Sequence, residues 1–355
     1  MSRVLSGDTF LRSISLEMSL ECPHVSSRRR YLLAVFLVGL MTVLVGTTTL
    51  ATPNKRSAAN SMQLAQLPSR GLATAALIRQ GSTLSSYDEL IERNLAISKC
   101  DWSPRVEHLL FVESSLPDDH MQYVRTKSKL AIKFVDVGET FAEGKSRSDA
   151  AKISGSEKCT EAEPEFQKPV GYNVMCWFWF SEFLHYVQEY DQVLRIDDDC
   201  ILAETFDWPL STAHVASVAE NSMDNRHIIV GMRDVFSSLA RTPLFYPRYW
   251  SSPYTNVCLY NVKAIRSDAR YKQIADAVDG SKCIWINRWG DLPLWGATRA
   301  LLGFPHENLQ FSYHHGSHKN ALIKPGDEFG TARGKAYLHQ PCSNFLGGAL
   351  SWLLC

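Results

Sequence analysis

The 355-residue chain is 45% hydrophobic, enough to bury one large core or two modest ones without covalent staples. Its Lys and Arg residues total 37, as do its Asp and Glu residues, so no basic surplus points to a nucleic-acid partner. Charge selects no partner, and function has to be read from local pattern.

Tyr31 to Leu50 form a run of 20 residues without a charge. At about 1.5 Å per residue, a helix of that length crosses a hydrocarbon core of roughly 30 Å. Arg28, Arg29 and Arg30 precede the run, and Lys55 and Arg56 lie beyond it. The positive-inside bias predicts a cytosolic tail (1–30), a single transmembrane signal anchor (31–52) and a lumenal remainder. A cleaved signal peptide is the competing reading, because Thr47 to Thr52 offers small residues; the run is longer than an ordinary signal core and starts later. Eight of the nine cysteines then stand in an oxidising compartment, where disulfides form, and no CxxC spacing suggests zinc.

Residues 53–84 are rich in Ser, Ala, Gln and Gly, a composition that predicts a stem with too little apolar surface to order itself. The folded domain is expected over 85–355. Its first element is a helix running to Ile97, with Ser86 and Glu89 as a capping box. Strands are predicted at His108–Val112 and Leu130–Asp136, with a short helix in Pro117–Thr126 between them. Lys145–Lys168 is polar and reads as a surface loop. An aromatic-rich helix, Tyr172–Glu189, follows, then the strand Gln192–Ile196. Apolar strands alternating with helices predict an α/β fold with a sheet covered on both faces.

The last of these strands runs straight into Asp197, Asp198 and Asp199. Open α/β sheets bind ligands at that edge. If the chain stays extended, Asp197 and Asp199 share one side and suit Mn²⁺ or Mg²⁺ together with the oxygens of a diphosphate. Three acids in a row also occur as a solvated turn. A phosphatase-like aspartate site is the other phosphate chemistry, but no Lys or Gly-rich loop is placed to serve it.

The stretch Tyr172-Asn-Val-Met-Cys-Trp-Phe-Trp-Phe180, His185, and Tyr190 to Asp199 together resemble the central signature of glycosyltransferase family 15, the fungal α-1,2-mannosyltransferases. Arg288-Trp-Gly-Asp-Leu-Pro-Leu294 resembles the family's Trp-Gly-Asp-x-Pro block, and Phe311-Ser-Tyr-His-His315 its Tyr and metal-binding His. Leu109–Glu113 and Ile132–Val137 fit the opening strands, so the resemblance spans roughly residues 85 to 320. It implies a GT-A-like, Rossmann-like fold with a mixed or parallel sheet flanked by helices. It also implies a Golgi membrane enzyme that transfers mannose from GDP-mannose, with retention, to a glycan acceptor on glycoprotein or glycolipid.

Carried over by position, the resemblance implies Asp197, Asp199 and His315 as ligands of Mn²⁺ (or Mg²⁺), with His314 close behind His315. Asp291 is the orienting acid and, with Asp199, the catalytic pair. Tyr172, Arg195, Asp198, Trp289 and Tyr313 are the expected substrate-binding residues. The chain departs from the family at Trp177, where the family has Arg, and at Cys258, where it has a Glu proposed as nucleophile. Same-face attack, with the leaving phosphate taking the acceptor's proton, needs no such nucleophile. Two rival readings stand beside this one: the same fold with another nucleotide-sugar donor, and a catalytically silent Golgi protein that binds glycans or partner enzymes. Most of the four adjacent aromatics, Trp177 to Phe180, are expected in the core.

Overall fold

The computed structural model describes residues 71–159, 167–224, 229–239, 249–287, 289–316 and 321–330. The expected tail and membrane anchor lie outside the described residues. Among those described, no helix is long and apolar enough to cross a membrane.

Six strands form the main sheet. β1 (Leu72–Ile78), β2 (Glu107–Val112), β3 (Ile132–Asp136) and β4 (Gln192–Ile196) run parallel to one another. After β5 (Cys200–Leu202), β6 (Val215–Ser217), β7 (Glu220–Asp224) and β8 (Tyr249–Pro253), strand β9 (Val257–Tyr260) pairs antiparallel with both β4 and β6. The order is β3-β2-β1-β4-β9-β6. β10 (Tyr313–His315) lies between β5 and β11 (Ala321–Ile323), and β12 (Glu328–Gly330) joins β7 and β8 in a third sheet. The expected α/β architecture is present, as a mixed sheet with flanking helices.

One expected boundary is corrected. The segment assigned to the stem holds β1, which is paired on both edges and buried almost throughout. Its Leu-Ala-Thr-Ala-Ala-Leu-Ile sequence has little of the β-branched and aromatic character that marks strands. Small side chains are what the place requires: Ala73 and Ala75 pack in the same core cluster as Phe111, Phe178 and Trp179. The folded unit therefore includes residues 71–84.

The helix α1 (Asp88–Ile97) is preceded by a turn of 3₁₀ helix, Leu84–Tyr87. The capping box is Thr83 with Ser86 rather than Ser86 with Glu89: the Thr83 N–H donates to Ser86 Oγ at 3.3 Å. α2 (Asp118–Ser128) confirms the short helix. α3 (Gly138–Ser154) replaces the first part of the expected surface loop, up to Ser154. Its buried stripe is Phe141, Gly144, Ser148 and Ala151, a helical spacing hidden by small and polar residues. A Cβ on Gly144 would stand 2.7 Å from Val174 Cγ1, so only glycine allows α3 to approach its neighbour.

That neighbour is α4 (Val170–Trp177), which continues through a π-helical turn, Phe178–Glu182, into α5 (Phe183–Tyr186). Trp177, Phe178, Trp179 and Phe180 are all buried. The Phe180 carbonyl in the π turn accepts a hydrogen bond from the Tyr271 hydroxyl. Tyr271 belongs to α8 (Ala269–Ser281), which follows α6 (Ile229–Leu239) and α7 (Val262–Ser267). α9 (Cys283–Ile286) and α10 (Asp291–Leu302) complete the helices among the described residues. Among the described residues, a disulfide, Cys159–Cys283, ties the segment after α3 to α9.

Glu220 anchors the third sheet to α10. Its buried carboxylate accepts hydrogen bonds from both Nη atoms of Arg299, at 2.9 and 2.8 Å, and pairs with His306 Nε2 at 2.7 Å. Burial alone would raise its pKa; the bonds from His306 and Arg299 win and hold it at about 2, against 4.5 for a free Glu. The ionised form is thus favoured by folding. Its stabilisation is complete above pH 4.5 and is lost as the pH falls through about 2. The shift corresponds to about 3 kcal/mol. In urea denaturation at pH 7, Glu220→Gln is expected to lose about that much, since it leaves the partly buried Arg299 beside a neutral partner. A loss below about 1 kcal/mol, the value of an exposed pair, would contradict this role.

Candidate active site

β4 is buried at every position, and its end is fixed from two sides. Asp197 N donates to Asn256 O at 2.9 Å, and Cys200 N folds back on Asp197 O at 3.1 Å. The triplet is therefore a tight turn and not an extended strand. Alternation of side chains stops at Ile196, and Asp197 and Asp199 acquire different partners.

Asp197 belongs to Arg195. The guanidinium donates from Nε to Asp197 Oδ1 at 2.7 Å and from Nη2 to Oδ2 at 3.1 Å, while Nη1 reaches Asp291 Oδ2 at 2.6 Å. Asn256 Nδ2 adds a bond to Asp197 Oδ2 at 2.9 Å. Arg195 is buried, with Cζ 4.3 Å from the centroid of the Trp179 ring. Burial alone would lower its pKa; the carboxylates of Asp197 and Asp291 overcome this and hold it well above the ordinary value. The expected substrate contact Arg195 is thus the bridge between the two acids.

Asp199 faces His315. Register explains the meeting: in the antiparallel pair β5–β10, His315 stands opposite Cys200, the residue after Asp199. Asp199 Oδ2 lies 3.4 Å from His315 Nε2, and the other ring nitrogen, Nδ1, is 3.2 Å from the Tyr254 hydroxyl. Among the described residues, Asp199, Cys200 and His315 form a group whose possible ligand atoms all lie within 4.8 Å of one another. Asp197 is not in this group; its oxygens accept the bonds from Arg195 and Asn256. Cys200 is buried, and burial followed by the charges of Asp197 and Asp199 pushes its thiol pKa well up. A neutral thiol is a poor ligand, whereas a carboxylate and an imidazole suit Mn²⁺. The residues present fit such an ion through Asp199 and His315. His314, at the next position of the strand, points to the opposite face.

A second buried arginine lies beneath the turn. Arg93, on α1, donates from Nε to Ile196 O at 2.9 Å and from Nη2 to Ala75 O at 3.3 Å, tying the end of β4 to β1. Burial lowers its pKa to about 10, against the pull of Asp198 and Asp197, so it remains a cation at neutral pH. Asp198, whose side chain is exposed in the cavity, is pushed up by desolvation within the cavity and by repulsion from Asp197 and Asp199.

These groups open into a cavity of about 900 Å³ at the C-terminal ends of β1, β2 and β4, a volume usual for small-ligand sites. Of the expected site residues, Tyr172, Arg195, Asp197, Asp198, Asp199, Asp291 and His315 line it. Trp289 and Tyr313 do not. Both are buried in core clusters, away from the cavity lining, which corrects their assignment to substrate binding. Cys258 is also buried, its Sγ 3.3 Å from Thr255 O, and burial raises its thiol to about 12. It does not line the cavity. Trp177 packs on Trp285 at 5.1 Å and likewise stays away from it.

Tyr254, Asn256 and Arg93 were missed. The first two sit in the stretch that drew attention only to Cys258, where a Tyr and an Asn flanking a strand were the available signal. Arg93 carried none, since an arginine on a polar helix reads as a surface residue.

No family model matches the sequence, and no curated protein matches it. The structure is similar to core-mannan synthase A (CmsA/Ktr4) from Aspergillus fumigatus in its Mn/GDP form, with a TM-score of 0.51 at 11% identity, covering 80% of this chain and 82% of that one. It is also similar to the mannosyltransferase Ktr4p from S. cerevisiae in complex with GDP: TM-score 0.54, 12% identity, 81% of this chain and 80% of that one. The fold is that of these mannosyltransferases. They belong to the fungal group whose motifs the sequence resembles, so sequence blocks and backbone point the same way.

Arg195 is the test of the site's frame. Arg195→Met leaves Asp197 and Asp291 buried without their shared cation and is expected to cost about 3–5 kcal/mol in chemical denaturation. Asp291→Asn keeps an acceptor for Nη1 and should cost less. Equal and small effects would mean that the bridge does not hold the site together.

Proposed function

We propose that this chain is a metal-dependent, retaining glycosyltransferase that moves mannose from GDP-mannose to a glycan acceptor. The observation that carries the reading is the meeting of Asp199 and His315 at the mouth of a nucleotide-sized cavity, with Arg195 and Asp291 alongside. These four residues come from three separate sequence blocks that resemble one family, and the structural relatives include Mn- and GDP-bound forms. We further propose a single-pass Golgi membrane protein with a lumenal catalytic domain, a reading supported by the uncharged run at 31–50 and the arginines before it.

Asp199 and His315 would hold the divalent ion, whose chemistry is to neutralise charge on the departing diphosphate. The Tyr254 hydroxyl, bonded to His315 Nδ1, fixes the ring so that Nε2 faces Asp199. Asp291, oriented by Arg195, presents its carboxylate to sugar hydroxyls from the first turn of α10. With Cys258 buried and protonated, no nucleophile stands at that position. The acceptor hydroxyl then attacks the anomeric carbon on the face from which the diphosphate leaves: the new C–O bond forms as the old one breaks, and a phosphate oxygen takes the hydroxyl proton. Catalysis rests on positioning and electrostatics. The burial of Cys258 also supports the second reading, a silent binding protein, which would bind nucleotide sugar without turnover.

The purified full chain is expected to release GDP from GDP-mannose only when Mn²⁺ or Mg²⁺ is present. Asp199→Ala should abolish release, an effect larger than the roughly 10- to 100-fold expected of Tyr254→Phe through weaker metal binding. Release from another nucleotide sugar instead would discard mannose while keeping the chemistry. A folded protein that releases nothing but binds GDP-mannose would favour the silent reading, and one that binds no nucleotide would end both.

A further inference from the structure

The Asp199–His315 group occupies one end of the cavity, leaving the end at β1 and β2 without an assigned role. There, Leu77, Ile78, Tyr87 and Leu90 form an apolar wall. Glu113 stands against it as the first residue beyond β2, its N–H donating to Ile78 O at 3.2 Å, so the carboxylate projects from a rigid strand end. The side chain is 19% exposed and pairs with Arg79 Nε at 3.4 Å. Arg79 is 74% exposed and free to swing toward solvent or phosphate. Of the cavity's carboxylates among the described residues, Asp197 and Asp291 serve Arg195, and Asp198 and Asp199 lie at the turn after β4. Glu113 is the one at the far end.

Spacing makes the placement informative. β2 and β4 are separated only by β1, hence by two strand spacings, about 10 Å. A diphosphate at Asp199 and His315 that extends toward β2 places its ribose over β1 and its base beside Glu113. The apolar wall suits the faces of a base, and the carboxylate meets its edge. A carboxylate has two acceptors side by side. Guanine presents two adjacent donors, N1–H and N2–H. Uracil presents a single N–H between two carbonyls, and adenine sets a ring-nitrogen lone pair next to its amine, so both repel a carboxylate.

We infer that Glu113 selects a guanine nucleotide by accepting the N1–H and N2–H bonds of the base at the β2 end of the cavity. This rests on the transferase reading and assigns the donor's base to a residue. Asp199 and His315 then fix the diphosphate, and Glu113 fixes the other end of the same molecule.

The test is calorimetric titration of the full chain, with Mn²⁺ present, against GDP, inosine diphosphate, UDP and ADP. Inosine diphosphate is guanosine diphosphate without the 2-amino group. GDP is expected to bind tightest, with inosine diphosphate about tenfold weaker or more, because one bond to a charged acceptor is missing. UDP and ADP should bind weaker still. Glu113→Gln, which turns one acceptor into a donor, is expected to lose the preference for GDP over inosine diphosphate. Equal binding of GDP and inosine diphosphate to the unaltered chain overturns the inference without reference to any variant, as does a Glu113→Gln protein that keeps the preference. Tightest binding by UDP or ADP overturns it while leaving a nucleotide-sugar site in place. Failure of all four to bind overturns the transferase reading beneath it.

Discussion

Three adjacent carboxylates at the end of one strand repel one another, and partial burial makes that repulsion stronger than it would be in water. The active-site geometry follows from how this chain neutralises them. Arg195, inside β4 itself, reaches forward two residues to take both oxygens of Asp197 and sideways to take Asp291. Arg93 approaches from below and binds the carbonyl just before the triplet. Both cations are buried, so neither is available to a ligand as a mobile charge. The consequence is a division of labour among like residues: Asp197 is consumed by the frame, and Asp199 is left facing His315.

The frame reaches well beyond the turn. Asp291 and His315 belong to segments that have no neighbours near β4 in the sequence, and each is delivered by a different device. His315 arrives through strand register, because β10 pairs with β5 and sets it opposite Cys200. Asp291 arrives at the first turn of α10, a helix packed through Trp295 against Phe180 and Tyr260. Trp179 connects the two levels, lying in the aromatic core while its ring supports the Arg195 guanidinium. The π turn holding Phe178–Glu182 shifts the helical phase where these aromatics change from packing to supporting. A rigid apolar layer under a charged one is how a site keeps its polar groups preorganised.

The sequence made this organisation partly legible, and its failures share a cause. The strand into Asp197–Asp199 and the helix with four buried aromatics were readable because apolar runs end abruptly in charge, and the Trp-Gly-Asp block was readable through its resemblance to a family motif. β1 was unreadable because a central strand beneath bulky aromatics is built from alanine, and α3 because its buried stripe is Phe, Gly, Ser and Ala. In both, small residues serve a close approach that hydrophobicity does not record. The site failed in the opposite direction. Tyr313 and Trp289 were placed at the ligand because they stand in blocks that resemble the family's site motifs, yet both are buried in core clusters. Asp197 and Asp199 were expected to share one side because alternation was carried past the end of the strand. A turn of three residues suffices to break it.

Cys258 shows how such a frame limits what a substitution means. It lies opposite Arg195 in the β4–β9 register, so a longer acidic side chain there would compete with Asp197 and Asp291 for the same guanidinium. In this chain the competition is absent: the thiol turns back to the Thr255 carbonyl, and Arg195 spends its donors on the two aspartates. Charge balance around Arg195 is thereby met without an acid on β9. A retaining transfer through a covalent intermediate would need a free carboxylate at the anomeric carbon, and both acids near Arg195 are held by it. Same-face attack asks only that the acceptor hydroxyl and the leaving phosphate be held in contact while charge is neutralised. For the proposed transfer, a buried cysteine on β9 is in keeping with the route that needs no acid there.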